Sequence, residues 1–320
     1  MKEETKPDQK YLKKIENVKY EPIFILGLPR SGTSILYKIL YETGCFNAVT
    51  AYHIIRYDEI LSNHIKGLEN KAKDGLNHEF MEVGLTDRGI DRLSITADFP
   101  EEYGFVLGDR VQNFYIKPKN VHKFKEMAKK VQYISKENKP LLLKNPFDFQ
   151  SVGYIKEQIP NSKFVFISRE PIEILDSTHR AIRYLMVNKQ PYSLFINKHY
   201  QNLYSNPFRL WLIRFLYRRF PTLPLYSVTR IWSKLTTRFI EQIKTVPKED
   251  YMCVKYEELC EDPQGVIEGI LEFLDTEPDE YIDFTTYISP RETPREPAVK
   301  KMQKYIEKKM AHYSKFFGYK

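Results

Sequence analysis

The sequence predicts an α/β fold, a single P-loop-like domain with a central parallel sheet flanked by helices and carrying helical insertions. Three observations predict it. The stretch PIFILGLPRSGTSILYKILYET (Pro22 to Thr43) sets an apolar run, a loop of glycine and hydroxyl residues and a helical pattern in immediate succession, which is the phosphate-cradling arrangement of open parallel sheets. Later runs at Leu141 to Leu143, Lys163 to Ser168 and Tyr251 to Tyr256 are short and nearly continuous in hydrophobicity, as strands covered on both faces are. Helical patterns separate these runs, which suits parallel strands joined by crossovers. Residues 1–20 read as a polar lead-in, partly disordered or loosely helical, and 21–320 as the domain.

Composition sets the class. The chain has 320 residues, 42% hydrophobic and 29% charged, ordinary for a soluble globular protein. Its net charge of +8 suits an anionic ligand, an acidic acceptor, nucleic acid or an anionic membrane surface without choosing among them. Three cysteines, Cys45, Cys253 and Cys260, have neither zinc-ligand spacing nor the count of a disulfide framework, and reduced thiols in a cytoplasmic protein are expected. The charged N-terminus lacks the apolar core of a signal peptide. No apolar run approaches the roughly 18 residues of a spanning helix.

Within the first unit, Ile23 to Leu26 is the strand, Gly27 to Thr33 the loop, and Ser34 to Glu42 a helix with Ile35, Leu36, Ile39 and Leu40 on one face. Gly27 and Gly32 stand where a Walker A loop has its glycines, and Ser34 where it has its hydroxyl. The lysine position holds Thr33, which argues against ATP or GTP hydrolysis, and Arg30 supplies a cation inside the loop instead. Val49 to Tyr57 reads as a second strand or a loop over the site. It carries His53, whose unperturbed pKa near 6.5 suits a general base, with packing as its other reading. Residues 58–135 are mostly helical and polar. In ADFPEEYGFVLG (Ala97 to Gly108), Asp98, Glu101 and Glu102 crowd among Phe99, Tyr103 and Phe105. A carboxylate there is either a base raised by apolar surroundings or an acid at a helix N-terminus. Val121 to Ser135 follows as a helix with Phe124, Met127, Ala128 and Val131 inward.

PLLLKNPFD puts Lys144 and Asn145 at the carboxyl end of a strand, the edge at which open parallel sheets bind ligands. Arg169 ends the strand KFVFIS, Ile172 to Met186 is helical, and the order R-x-P-x-x-x-x-x-S runs from Arg169 to Ser177. Arginine offers a fork of donors to phosphate, and a serine two turns into the helix adds a hydroxyl. A kinase or nucleotidase would carry a magnesium-binding carboxylate at this strand tip, where Ser168 and Arg169 stand instead. Residues 187–240 form an excursion. Phe208 to Phe220 mixes aromatics with four arginines and has no clean apolar face, which favours a helix buried on several sides over an amphipathic element at a membrane. YMCVKY reads as another buried strand, followed by a turn and an amphipathic helix. PRETPREPAVKK (Pro290 to Lys301) is a basic loop.

GLPRSGTS closely resembles the 5′-phosphosulfate loop of the sulfotransferases that use 3′-phosphoadenosine 5′-phosphosulfate (PAPS). LLLKNP, FISREPIEILDS and VKYEELCEDP resemble later segments of that family, in the same order, so that the likeness spans Ile23 to Leu274. The resemblance implies transfer of a sulfuryl group from PAPS to a hydroxyl, less readily an amine, on a carbohydrate, lipid or small molecule, with no metal. It implies that Arg30, Ser31, Gly32, Thr33 and Ser34 hold the 5′ side of the nucleotide, that Arg169 and Ser177 hold the 3′-phosphate, and that Tyr256 lies near the adenine. Lys144 would stand by the bridging oxygen, and His53 or Glu102 would take the acceptor's proton. A C-terminal basic residue (Arg291, Arg295 or Lys300) would close over the 3′-phosphate. Expected partners are the acceptor and, peripherally, a membrane, with no nucleic acid. The competing readings are a P-loop kinase or nucleotidase and a non-catalytic nucleotide-binding or anionic-surface-binding relative.

Overall fold

A computed structural model describes residues 6–85, 95–108, 114–288 and 294–319. Its centre is a sheet of five strands, β1 (Pro22–Leu26), β2 (Asn47–Ala48), β3 (Leu141–Lys144), β4 (Lys163–Ser168) and β5 (Tyr251–Lys255), in the order β2-β3-β1-β4-β5. Every ladder between them is parallel. Successive residues of a strand point to opposite faces, so an apolar run must be covered twice. Phe24, Leu26, Leu141, Leu143, Phe164 and Phe166 pack under the helices Val121–Ile134, Thr222–Gln242 and Pro297–Phe317. Ile23, Ile25, Leu142, Val165 and Ile167 pack on the other face under Thr33–Glu42 and Pro263–Phe273. Burying one such side chain fully contributes about 1.5–3 kcal/mol, so these double-sided strands anchor the domain. Phe124, Met127, Ala128 and Val131 are buried as the periodicity requires.

Register aligns the carboxyl ends. Ile25 stands opposite both Lys144 and Val165, and Ser168 opposite Lys255. The chain leaves β1 toward β2 on one side of the sheet and leaves the adjacent β4 toward β5 on the other, so these connections diverge and open a crevice beyond the two strand ends, the switch-point position for a ligand.

Three sequence expectations change. Val49 to Tyr57 is neither strand nor loop: the two-residue β2 precedes it and Ala51–Ile55 is a short helix. The strand in YMCVKY is not buried, because β5 is the sheet edge and only Val254 in it is covered. The excursion is four helices, and the one at Pro207–Arg219 turns its aromatics outward instead of burying them on several sides. Within the lead-in, Pro7–Ile15 is a 3-10 helix. Its buried Asp8 accepts the Leu61 and Ser62 backbone N–H groups and pairs with buried Lys130 at 3.0 Å. Among the described residues, no helix is long and apolar enough to cross a membrane.

Candidate functional site

Four strand ends build the site. The loop after β1 is shaped by two glycines. A Cβ on Gly27 would lie 2.3 Å from the carbonyl oxygen of Ile167, so the chain passes β4 too closely for any side chain. Gly32 has φ +105°, and its Cβ would lie 2.5 Å from a ring carbon of Tyr256. Between them Arg30 has φ +76°, a left-handed conformation that costs a non-glycine residue roughly 1–2 kcal/mol. The helix Thr33–Glu42 begins at Gly32 without a side-chain cap. Its first-turn N–H groups therefore point from the loop with no capping oxygen, the usual feature of an anion cradle. Thr33 is buried, and the buried Ser31 hydroxyl has no hydrogen-bond partner among the described residues.

Lys144 ends β3 with its side chain 1% exposed. Its ammonium donates to Ser34 Oγ at 3.0 Å and pairs with Glu102 Oε1 at 3.1 Å. The cation missing from the Walker position thus reaches the same hydroxyl from the neighbouring strand. Glu102 is the sequence-predicted carboxylate that enters this cluster. Asp98 lies elsewhere, paired with Lys73 at 2.9 Å, and buried Glu101 accepts from Tyr192 Oη at 2.6 Å.

β4 delivers Arg169, and the helix Pro171–Val187 that follows delivers Ser177. Arg30 Nε donates to Ser177 Oγ at 3.1 Å, which joins the β1 loop to the β4 motif. The Arg169 guanidinium lies 4.5 Å from the centre of the Tyr256 ring, and its ion pair with Glu173 is long at 3.7 Å. Tyr256 opens the helix that follows β5, so its ring is held between Gly32 and Arg169. The C-terminal segment braces this corner: Tyr313 Oη accepts the Arg169 N–H at 3.2 Å, and Tyr319 Oη meets Ser168 Oγ at 3.1 Å and donates to Glu257 at 2.9 Å. Arg295 approaches the same motif through Glu173, at 3.0 Å. Arg291 lies outside the described residues, and Lys300 is exposed.

His53 is placed differently. It is buried in the short helix Ala51–Ile55, and its Nδ1 accepts the Thr50 N–H at 3.1 Å as part of a capping box. With Nδ1 committed as acceptor, the neutral ring carries its proton on Nε2. Burial, then the nearby Lys73 charge, lower its pKa to about 4.

One further carboxylate stands beside these residues. The buried Asp148 carboxylate accepts from Tyr103 Oη, the Ile116 N–H and Asn145 Nδ2, each at 2.6 Å. Burial pushes its pKa up to about 7, and the three donors pull against that rise. Tyr103 follows Glu102 in the chain and Asn145 follows Lys144, so Asp148 ties together the two segments that carry the ion pair. No motif announces it, since Tyr103 and Ile116 come from a separate stretch of the chain.

The pattern of the sulfotransferase family matches residues 22–280. Among solved structures, the chain resembles sulfotransferase STF9 of Mycobacterium avium at 14% identity and a TM-score of 0.59, over 97% of this chain and 81% of that one. It resembles sulfotransferase STF1 of Mycobacterium tuberculosis H37Rv at 14% identity and a TM-score of 0.57, over 96% and 80%. At that identity these two likenesses speak for the fold. No curated protein matches the sequence.

Proposed function

This chain belongs to the sulfotransferase family, and on that premise we propose that its sulfuryl donor is PAPS and its acceptor a hydroxyl. The observation that carries the donor is the bond from Arg30 Nε to Ser177 Oγ. It brings a loop suited to a 5′-phosphate within one side chain of an arginine and serine suited to a 3′-phosphate, and ATP has nothing for the second group. The ring of Tyr256, between Gly32 and Arg169, offers a face for the adenine.

In the proposed reaction the acceptor oxygen attacks sulfur. The new O–S bond forms as the bond from sulfur to the bridging oxygen breaks, and 3′-phosphoadenosine 5′-phosphate leaves. Negative charge grows on its 5′-phosphate. Arg30, Ser34, Lys144 and the uncapped N–H groups of the Thr33–Glu42 helix are set to meet that charge before it appears, the preorganisation that contributes most to group transfer. Glu102 takes the acceptor's proton. Its position on Lys144 supports it over His53, whose Nδ1 lone pair is already used by Thr50.

Equilibrium titration with 3′-phosphoadenosine 5′-phosphate, adenosine 5′-phosphate and ATP tests the donor. The bisphosphate should bind at least about tenfold more tightly than the monophosphate, one charge-assisted contact being worth about 1.5–3 kcal/mol. Tightest binding of ATP in the presence of Mg²⁺ would instead support a kinase. Labelled PAPS offered with a library of alcohols, sugars and lipids then identifies the acceptor.

A further inference from the structure

We propose that the outer face of the helix Pro207–Arg219, continued by Phe220 and Leu223, docks on the surface of an anionic lipid bilayer. Phe208, Trp211, Leu212 and Phe215 recur at the spacing of a single helix face, and all four are exposed. Phe208, Trp211 and Phe215 form a stacked ladder, with ring centres 6.0 and 5.8 Å apart. Leu216, Phe220 and Leu223 extend it, also exposed. The opposite face holds Leu210, which is buried. The element is therefore oriented with its apolar side toward solvent, a contiguous patch of the kind that marks an interaction surface.

Charge selects the occupant. From Ser177 to Ile240 the sequence has eleven Lys and Arg residues (180, 183, 189, 198, 209, 214, 218, 219, 230, 234 and 238) and no Asp or Glu. That stretch carries +11, and the rest of the chain, with 39 basic and 42 acidic residues, carries −3. The whole basic excess of the protein thus belongs to the segment that bears the patch. Arg209, Arg218 and Arg219 flank the apolar face and form no ion pair among the described residues. Aromatic and leucine side chains on one face with arginines at its border are the signature of a helix lying in a membrane interface. The leucines favour lipid over nucleic acid, because an aliphatic side chain offers no ring on which a base can stack. They also favour lipid over a second copy of this chain, which would bring the same positive border against itself.

Co-sedimentation with vesicles of phosphatidylcholine alone, and of phosphatidylcholine mixed with phosphatidylglycerol, tests this. The protein should sediment with the mixed vesicles, and less as salt rises. Trp211→Ser with Phe215→Ser should weaken that binding at least about tenfold. Arg218→Gln with Arg219→Gln should remove most of the preference for the anionic vesicles, about fivefold per arginine. All four positions are exposed, and unchanged thermal melting of the variants confirms their folding. Tryptophan emission gives a second reading: of the two tryptophans, Trp211 is 58% exposed and Trp232 7%, so a blue shift on mixed vesicles reports Trp211 entering lipid. Three results would overturn the proposal: no sedimentation of the parent protein, sedimentation equal in all variants, or capture by a single-stranded oligonucleotide in place of vesicles. A solution mass that halves in the serine variant, without vesicle binding in the parent, would assign the face to self-association instead.

Discussion

Replacing Arg169 with alanine separates the two phosphates of the proposed donor. In the structure its side chain is 20% exposed and its ion pair with Glu173 is long, so most of the guanidinium's donors are available to a ligand. Loss of a charge-assisted hydrogen bond to phosphate costs about 1.5–3 kcal/mol, or roughly 13- to 160-fold in affinity. Partial exposure favours the lower part of that range, about 13- to 50-fold. The substitution also removes the stacking of the guanidinium on Tyr256, worth about 0.5–1 kcal/mol. That second loss falls equally on any nucleotide whose base uses Tyr256, so the ratio of two affinities is the informative quantity. Calorimetric titration at one salt concentration, with 3′-phosphoadenosine 5′-phosphate and then adenosine 5′-phosphate, supplies it. The parent protein should prefer the first, and Arg169→Ala should nearly abolish the preference. A variant that loses affinity for both ligands by the same factor would refute the assignment of Arg169 to the 3′-phosphate.

The other predictions concern the loop, the base and pH. Gly32→Ala should retain its far-UV circular dichroism but lose more than about tenfold in nucleotide affinity, since the new methyl meets the Tyr256 ring at a backbone angle that strains any L side chain; normal affinity would show the packing to be slack. With an acceptor identified, Glu102→Gln should lower kcat about 10²–10⁴-fold at saturating donor, with the dissociation constant of the desulfated nucleotide kept, whereas His53→Ala should lose far less rate. Near-normal kcat in Glu102→Gln would place the base elsewhere. His53 also shapes stability against pH. Its folded pKa of about 4 lies below the unfolded value of 6.5, so its contribution is fully present above pH 6.5 and is lost as pH falls toward 4, by about 3 kcal/mol in all. Asp148, raised to about 7, has the opposite slope between its unfolded value of 3.8 and 7. Denaturant midpoints of the parent and His53→Gln between pH 4 and 7 therefore isolate His53 as a difference, and parallel curves would show that it is not held neutral by the fold.

The residues legible in the sequence were those whose role is local. Glycines, loop hydroxyls and strand-tip cations sit at fixed offsets from an apolar run, and the close approach of Gly27 to β4 and of Gly32 to Tyr256 explains why those offsets hold. Relations across the fold were not legible. Which of Glu102 and His53 meets Lys144 is one such relation, since Lys144 lies far from both in the chain. The edge position of β5 was hidden because a run such as YMCVKY shows its own hydrophobicity and not how many neighbours the strand has. The outward face of Pro207–Arg219 was misread for a related reason: four arginines blur its apolar face in the sequence, and only the buried Leu210 shows which side meets the core. The Asp148 cluster depends on Tyr103 and the Ile116 N–H, which tertiary structure alone brings to it.

The brace on Arg169 has a consequence for synthesis. The hydroxyls of Tyr313 and Tyr319 reach back 144 and 151 residues to Arg169 and Ser168. A growing chain has made β1, β3 and β4 long before these tyrosines leave the ribosome, and contacts that span such a separation are slow to close. The sheet is therefore complete as a pairing pattern before the corner beside Tyr256 is fixed. On the proposed reading, nucleotide binding therefore waits for Tyr313 and Tyr319, and chains truncated ahead of Tyr313 should not capture donor. Nucleotide capture by released chains truncated at increasing lengths would expose this as a step between Tyr313 and Tyr319, and a gradual rise beginning at β4 would show that the two tyrosines are dispensable for setting the site.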